Sequence, residues 1–396
     1  MNTSKTTKQS MLDTVTLKLK YPSFRVNDPN LFHPAFVIRA NEVSQNFGSR
    51  AYVKYTYNPP AMYKADGTFP RFTGYKRLED GQWNYYLHIE VSLPNLLFGN
   101  SVKELRDDNI ESLFYSLQNK LQVMGIYVSR EHLENADVIN AHFGKNMPLN
   151  PPLTARAVIA ELAKSDMGKR KDIIHRHYDN SGQALYFYST ASNIIFYDKK
   201  RDPNISRNRA MNKLRTKQDK QISEEMGEVL RFEFRITTPR SINSFIGKAT
   251  GQKTQNITFK QILSEKLCQK VLLLCWSEIV DNPVSQLALK MEVLPEDIWG
   301  LLVNSVSASD KKKAHSLNKV LSGFGLYYLV RFIGSRRVRD TIEQGWSEKT
   351  WKRTNEHIQE NAALLKNIPP SNSITIIQKA LDNFERYDWK PTEELD

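Results

Sequence analysis

Between residues 11 and 236 the chain alternates polar and apolar positions in short runs, the pattern of half-buried strands. MLDTVTLKLKY (11–21), AFVIR (35–39) and AYVKYTY (51–57) read as strands, and so does ADVINAHFG (136–144). RFTGYKRL (71–78) and WNYYLHIEV (83–91) flank the pair Asp80-Gly81, the strongest short-range hairpin signal. LYFYST (185–190) and IIFYD (194–198) form a second hairpin, and VLRFEFRI (229–236) closes the strand-forming part. Two helices interrupt it. One repeats Ile110, Leu113, Phe114, Leu117 and Leu121 on one face, with Asp108 and Glu111 at capping-box spacing and Gly125 as the stop. The other, 154–164, starts at a Thr154 cap.

Beyond about residue 250 the period becomes helical. Helices are expected over 259–280, 295–306 and 316–333, with a short one around Arg337 and another over 346–365 capped by Ser347. The fold class that follows is α+β. An antiparallel-sheet-rich N-terminal domain with flanking helices, residues 1–250, precedes a mainly α-helical domain, residues 251–396.

Strand alternation sorts the polar residues by face. His88 and Glu90 share one, as do Val138, Asn140 and His142. Arg231, Glu233 and Arg235 lie opposite Phe232 and Phe234, and Tyr197 lies with Ile195. On pattern alone, Arg231 to Arg235 reads as a solvated sheet face with cross-strand ion pairs. Tyr186 and Tyr188 read as packing partners of the strand that carries Tyr197. His175-Arg176-His177 falls in a polar, loop-like stretch, where phosphate contact or solvent exposure is expected above metal ligation.

At 396 residues, 40% hydrophobic and 25% charged, the chain is that of a globular protein rather than a disordered one. Its longest apolar run, Val271 to Trp276, is too short to span a membrane, and the polar first ten residues do not resemble a signal peptide. The expectation is a cytosolic protein without a membrane partner. Cys268 and Cys275, two helical turns and about 10 Å apart, are beyond disulfide reach and too few for a cysteine metal site.

Charge changes the picture more. The formal net charge is +13. Nine Lys/Arg against two Asp fall between Lys199 and Lys220, and eight Lys/Arg with no acid between Lys311 and Arg339. Two such patches with aromatic residues between them favour a nucleic-acid partner.

Four elements taken in order carry a resemblance. They are EVSLPNLLFGNSVKEL (90–105), HFGKN (142–146), FYDKK (196–200) and LRFEFRI (230–236). The series, over about residues 12 to 250, resembles the replication initiators of filamentous phages and plasmids, the gene II/X family, which are related to rolling-circle plasmid initiators. The chain departs from that pattern at Asn95, Ser101 and Phe143, where the family favours lysine, asparagine and tyrosine. Asn140 and His142 stand on a strand where rolling-circle relatives carry aspartates.

The resemblance implies a nickase-ligase that cuts one origin strand by tyrosine attack, leaving a 5′-phosphotyrosyl link and a 3′-hydroxyl primer, and later rejoins the displaced strand. Tyr197 is the implied nucleophile. A phenol with a pKa near 10 needs nearby positive charge, and Lys199 and Lys200 supply it. Mg²⁺ or Mn²⁺ is the implied cofactor. Glu90 and Glu233 are its candidate ligands, with His142 third and Asn140 an alternative to it. Arg201, Arg207, Arg209, Arg231 and Arg235 are expected to hold DNA around the cut. Lys352 and Arg353, on one face of the Ser347-capped helix, either read duplex in helix-turn-helix fashion or belong to a surface helix packed through Trp346 and Trp351. Implied partners are the origin duplex and its single strand, with host helicase and polymerase, in the cytoplasm of a bacterial host. A non-catalytic, sequence-specific DNA-binding protein on the same scaffold is the alternative. An RNA-binding structural protein is disfavoured because no RNA-stacking motif is visible.

Overall fold

The computed structural model describes residues 12–27, 52–57, 69–168, 171–177, 181–202, 226–307 and 313–387, with backbone alone at 52–57, 306–307 and 313–316. The strand expected at 35–39 lies outside these residues.

Strands β1 (Leu12–Lys20), β2 (Arg25–Val26), β3 (Tyr52–Tyr57), β4 (Arg71–Glu79) and β5 (Gln82–Ser92) come first. Next are β6 (Ile126–Tyr127), β7 (Asp137–Pro148) and β8 (Asp172–His177). Then follow β9 (Gln183–Tyr188), β10 (Ser192–Asp198) and β11 (Val229–Ile236). Nine of them form one sheet in the order β3-β4-β5-β1-β7-β11-β10-β9-β8, and β2 pairs with β6. Every neighbouring pair in the large sheet is antiparallel. The β4–β5 hairpin turns where the pattern places it. Asp80 and Gly81 both take positive φ (51° and 75°), which a two-residue type I′ turn requires.

One face of the sheet is apolar. Leu17, Ile89, Phe143, Phe187, Phe196, Phe232 and Phe234 project from it into a single core. Helices α1 (Leu93–Phe98), α2 (Ile110–Val123), α3 (Arg130–Glu134), α4 (Ala155–Leu162) and α5 (Pro239–Thr250) bury their apolar stripes there. So do α6 (Phe259–Ile262) and α7 (Glu265–Val280). Helices α8 (Pro283–Ala288), α9 (Pro295–Ser307), α10 (Lys313–Ile333), α11 (Ser335–Gly345) and α12 (Glu348–Leu364) surround a second, smaller core built on Ile298, Tyr327, Val330 and Ile358. Helix α13 (Asn372–Asn383) then returns to the first core through Ile374, Ile377 and Leu381.

Five expectations change. The first core runs through the boundary expected at residue 250, because α6, α7 and α13 supply Phe259, Leu272, Trp276 and Ile377 to it. The helix expected over 259–280 breaks after Ile262, and α7 restarts at an N-cap Ser264. Asp108 and Glu111 form no capping box; Asn109 Oδ1 instead accepts from the Arg106 backbone N–H at 3.0 Å at the start of a short 3₁₀ turn. His175-Arg176-His177 lies on edge strand β8, paired to β9, rather than in a loop. Finally, a bulge at Ile139 shifts the β1–β7 register between Asn140 and Val138. It sends Val138 into the core while Asn140 and His142 stay on the opposite face. Cys268 and Cys275 are both buried and not joined in a disulfide. Among the described residues no helix is long and apolar enough to cross a membrane.

Candidate functional site

The face of the sheet opposite the core is polar, and register arranges it in rows. Tyr197 stands across from Arg231, which stands across from Asn146. Two residues along lie Ile195, Glu233 and Gly144. The next row runs Asn193, Arg235, His142, Thr14 and Ser92. Beyond it lie Asn140, Thr16, Glu90 and Arg71.

Arg231 is the centre of the buried part. It is 2% exposed, and its guanidinium bonds the Asp13 carboxylate and donates to Asn146 Oδ1 at 2.9 Å. Its Nε lies 3.9 Å from Glu233 Oε2 and has no hydrogen-bond acceptor. Asp13 reaches it because a bulge in β1 between Leu12 and Thr14 turns that side chain onto the polar face. Gly144 leaves the passage open, since a Cβ there would fall on the Arg231 guanidinium. Glu233, equally buried, accepts from Arg235 Nε at 2.8 Å and Arg235 Nη2 at 3.3 Å. Burial alone would raise its pKa, but Arg235 and Arg231 outweigh burial and bring it down to about 2. The expected solvated face is thus a buried network whose charges satisfy one another. Burial works against the charge on Arg231 and Arg235 too, and Asp13 and Glu233 keep both firmly protonated.

Tyr197 is 9% exposed and packs beside Ala184, Ile195 and Tyr186. Burial pushes its phenol well above the ordinary value of 10, and the Arg231 charge opposes that push. Lys199 Nζ lies 5.5 Å from the centre of the Tyr197 ring. It is itself buried, donates to Ser101 Oγ at 2.9 Å and pairs with Asp202 at 3.4 Å. Desolvation lowers its pKa. Lys200 is half-buried at the end of β10. Arg201 is engaged in the turn, bonding Asp198 at 2.6 Å and Glu228 at 3.3 Å. Arg207 and Arg209 lie outside the described residues.

The expected metal ligands separate into two groups. Glu90 and Glu233 are three strands and four residues apart, which puts their Cα atoms roughly 20 Å from one another. They do not converge on one ion, and among the described residues no three His, Cys, Asp or Glu side chains do. Glu233 is also a poor ligand on chemical grounds, because two guanidinium groups already occupy its oxygens. His142 turns Nδ1 towards Glu233 Oε1 at 3.5 Å, and burial lowers its pKa, so the ring is neutral at neutral pH. Glu90 is half-exposed, 3.9 Å from Arg71. Asn140 Oδ1 is buried without a partner.

Four cations of the second basic stretch are paired within the molecule, and the Lys311, Lys312 and Lys313 side chains lie outside the described residues. Arg331 pairs with Glu161 at 2.9 Å and Arg339 with Asp166 at 3.1 Å. Arg336 pairs with Asp340 at 2.9 Å, and Lys319 lies 3.6 Å from Glu360. A cleft of about 860 Å³ between the two cores is lined by Asp166, Lys171, Arg339 and Trp351, away from the polar sheet face. Lys352 and Arg353 are exposed on the first turns of α12, which Ser347 caps as expected. Trp351 packs on the second core, whereas Trp346 is 62% exposed and packs nothing in. Only two residues, Trp346 and Ser347, separate α11 from α12. At the far edge of the sheet the His175 and His177 rings lie 4.5 Å apart on β8, and His175 Nε2 meets Gln183 at 3.1 Å. His175 stands across from Leu185 and His177 across from Gln183, which puts both on the side opposite Tyr197, whose partner on β9 is Ala184. Tyr186 does pack, as expected, with Arg176 4.9 Å over its ring.

Three residues of this site escaped the sequence reading. Gly144 and Asn146 sit inside the HFGKN element, where a glycine between two site positions is a usable signal of close approach. Asp13 had none, because only the β1 bulge turns it onto this face. No family profile, curated protein or solved structure matches the chain.

Proposed function

We propose that the protein is a rolling-circle replication initiator, a site-specific DNA nickase-ligase acting through Tyr197. The observation that supports this most is the pairing of Tyr197 with Arg231. A phenol on the polar face stands directly across from a buried cation whose Nε donor has no acceptor. A phosphoryl oxygen would be that acceptor.

In the reaction, the Tyr197 oxygen forms a bond to phosphorus and the bond from phosphorus to the 3′-oxygen breaks. The tyrosine proton leaves, and the departing oxygen takes up a proton to become the 3′-hydroxyl primer. Rejoining is the reverse attack by a 3′-hydroxyl. Arg231 holds positive charge where the non-bridging oxygens gain negative charge and also opposes the burial that keeps the phenol protonated. Lys199, over the ring, adds to that field. Asp13 and Asn146 fix the guanidinium and so position it. Lys352 and Arg353 are the duplex contacts of this reading. Its partners are the origin duplex and single strand, with host helicase and polymerase, in a bacterial cytoplasm.

A non-catalytic DNA-binding protein on this scaffold is the second reading, favoured by the mutual satisfaction of Arg231, Glu233 and Arg235. Incubation with origin-containing supercoiled plasmid and Mn²⁺ separates the two. Nicked circles and a suicide-oligonucleotide adduct on Tyr197 are expected, and Tyr197→Phe should bind DNA yet fail to nick. An adduct mapped to another residue overturns the assignment to Tyr197. Binding without any nicked circles leaves the non-catalytic reading.

A further inference from the structure

We propose that the exposed side of α10 is a self-docking surface, on which α10 of a second copy of this chain lies antiparallel and crosses at Gly325. The helix is apolar on two sides. Val320, Tyr327 and Val330 face the second core. Leu317, Leu321, Leu329, Phe332 and Ile333 face solvent, each between 43% and 63% exposed. A helix that is apolar all round belongs in a buried setting, yet half of this surface meets water.

The order of residues along the row selects a second copy as its cover. Leu317, Leu321, Gly325, Leu329 and Ile333 recur at every fourth position and so form one ridge. The ridge reads alike in both directions from Gly325, with a leucine four residues away on each side and a leucine or isoleucine eight away. A two-fold interface requires such self-complementarity. A residue four before the centre meets the residue four after it on the other copy. Gly325 supplies the notch at that centre. A Cβ there would meet nothing within 4 Å, so packing inside the chain does not call for glycine, which is the poorest helix former after proline. Where two ridges cross, its missing side chain lets the helices approach closely.

Charge and area agree with this occupant. Only Lys319 and Arg331 are charged between Leu317 and Ile333, and neither stands on the ridge. Lys319 lies 3.6 Å from Glu360, and Arg331 pairs with Glu161 at 2.9 Å. A chain of formal net charge +13 repels its own copy, so an uncharged face is where contact between copies costs least. The same lack of cations disfavours a phosphate backbone here. The five exposed side chains offer roughly 500 Å² of apolar surface, at about 200 Å² for each when fully exposed. Trp299 on α9, 5.8 Å from Phe324, and the exposed, uncharged Asn318 and Ser322 extend the face. Together they approach the roughly 800 Å² per partner of a standard interface.

The α10 surface is independent of strand transfer at Tyr197. The test is sedimentation equilibrium of the nuclease-treated full chain over about 1–100 µM, the range that brackets a weak interface of this size. A species of twice the 45.8 kDa chain mass is expected. Leu321→Glu and Leu329→Lys, both at exposed positions, should each weaken the dimer about tenfold or more. Mixed in equal amounts at low salt, the two variants should associate again, because position 321 of one copy meets position 329 of the other and opposite charges then pair. Gly325→Cys should cross-link two copies on mild oxidation, since Cys268 and Cys275 are buried, whereas Lys319→Cys should not. A parent chain that stays monomeric at the highest concentration overturns the proposal, whether or not lipid vesicles or another protein then bind α10. So does a dimer that both charged variants leave unchanged, and a mixture of folded variants that fails to associate overturns the antiparallel crossing. Should either charged variant misfold, the mass of the parent and the Gly325→Cys cross-link decide the matter.

Discussion

Arg231 on β11 and Arg339 on α11 both come from charge-rich stretches, and both end almost wholly buried against one aspartate, at 2% and 3% exposure. Each even leaves its Nε without an acceptor. What differs is the company. Arg231 sits in a network of Asp13, Asn146 and Glu233 directly across from Tyr197. Arg339 closes the joint between the two cores, where Asp166 also receives the Gly168 N–H at 2.9 Å and lines up with Ser285, whose hydroxyl donates to the Asp166 carbonyl. The count of basic residues therefore says little about how much positive charge a partner can meet. One arginine faces a candidate nucleophile, and the other fastens the molecule to itself.

Removing the joint should have the largest effect. Ending the chain near residue 250 deletes Phe259, Ile262, Leu267, Leu272, Trp276, Ile377 and Leu381 from the first core. At about 1.5–3 kcal/mol for each large buried side chain, the loss of roughly 10–20 kcal/mol matches or exceeds the roughly 5–15 kcal/mol that holds a typical domain folded. The fragment should lack cooperative unfolding by circular dichroism, and a cooperative transition in it would show two independent domains after all.

Single substitutions come next. Arg231→Ala strands the Asp13 carboxylate and leaves Asn146 Oδ1 without its donor, while Arg235 still holds Glu233, and should cost about 3–5 kcal/mol in chemical denaturation. Arg339→Ala strands only Asp166. Burial already raises that carboxyl's pKa despite the Arg339 charge, so it can take up a proton, and Arg336 remains 3.9 Å away. A loss of about 1–3 kcal/mol is expected there. Equal costs would erase the distinction between the two arginines.

A smaller effect concerns pH. Because the folded state holds the Asp166 proton more tightly than the unfolded chain, this group's contribution to stability falls as pH rises from the ordinary 3.8 through its raised folded value. Asp166→Asn should therefore gain stability relative to the parent as pH climbs from about 4 to 7. Parallel denaturation curves for the two proteins across that range would argue against it.

The smallest effect is on the exposed cations. Reversing Lys352 and Arg353 should leave folding intact, weaken duplex binding and flatten its salt dependence by roughly one unit per lost phosphate contact. An unchanged slope would leave α12 as a surface helix only.

Period alone located most of the elements. The alternation of β1, β5 and β11, the Asp80-Gly81 hairpin and the Ser347 cap are local properties, set by residues within a few positions of one another. The facing of Arg231, Glu233 and Arg235 away from the two phenylalanines was equally legible, because side chains on a regular strand must alternate. That this face would be buried, with Glu233 satisfied by arginines, was not. It depends on β7 and β1 arriving beside β11 from far along the chain, with Gly144 at the crossing. Two bulges decided the rest, one turning Asp13 onto the polar face and the other turning Val138 off it. A single inserted residue inverts a strand's two faces, so a pattern read with strict period two must fail there. Sequence thus determined which residues could form strands and helices; only the pairing of distant strands decided which charges meet, because burial and register are properties of the assembled sheet.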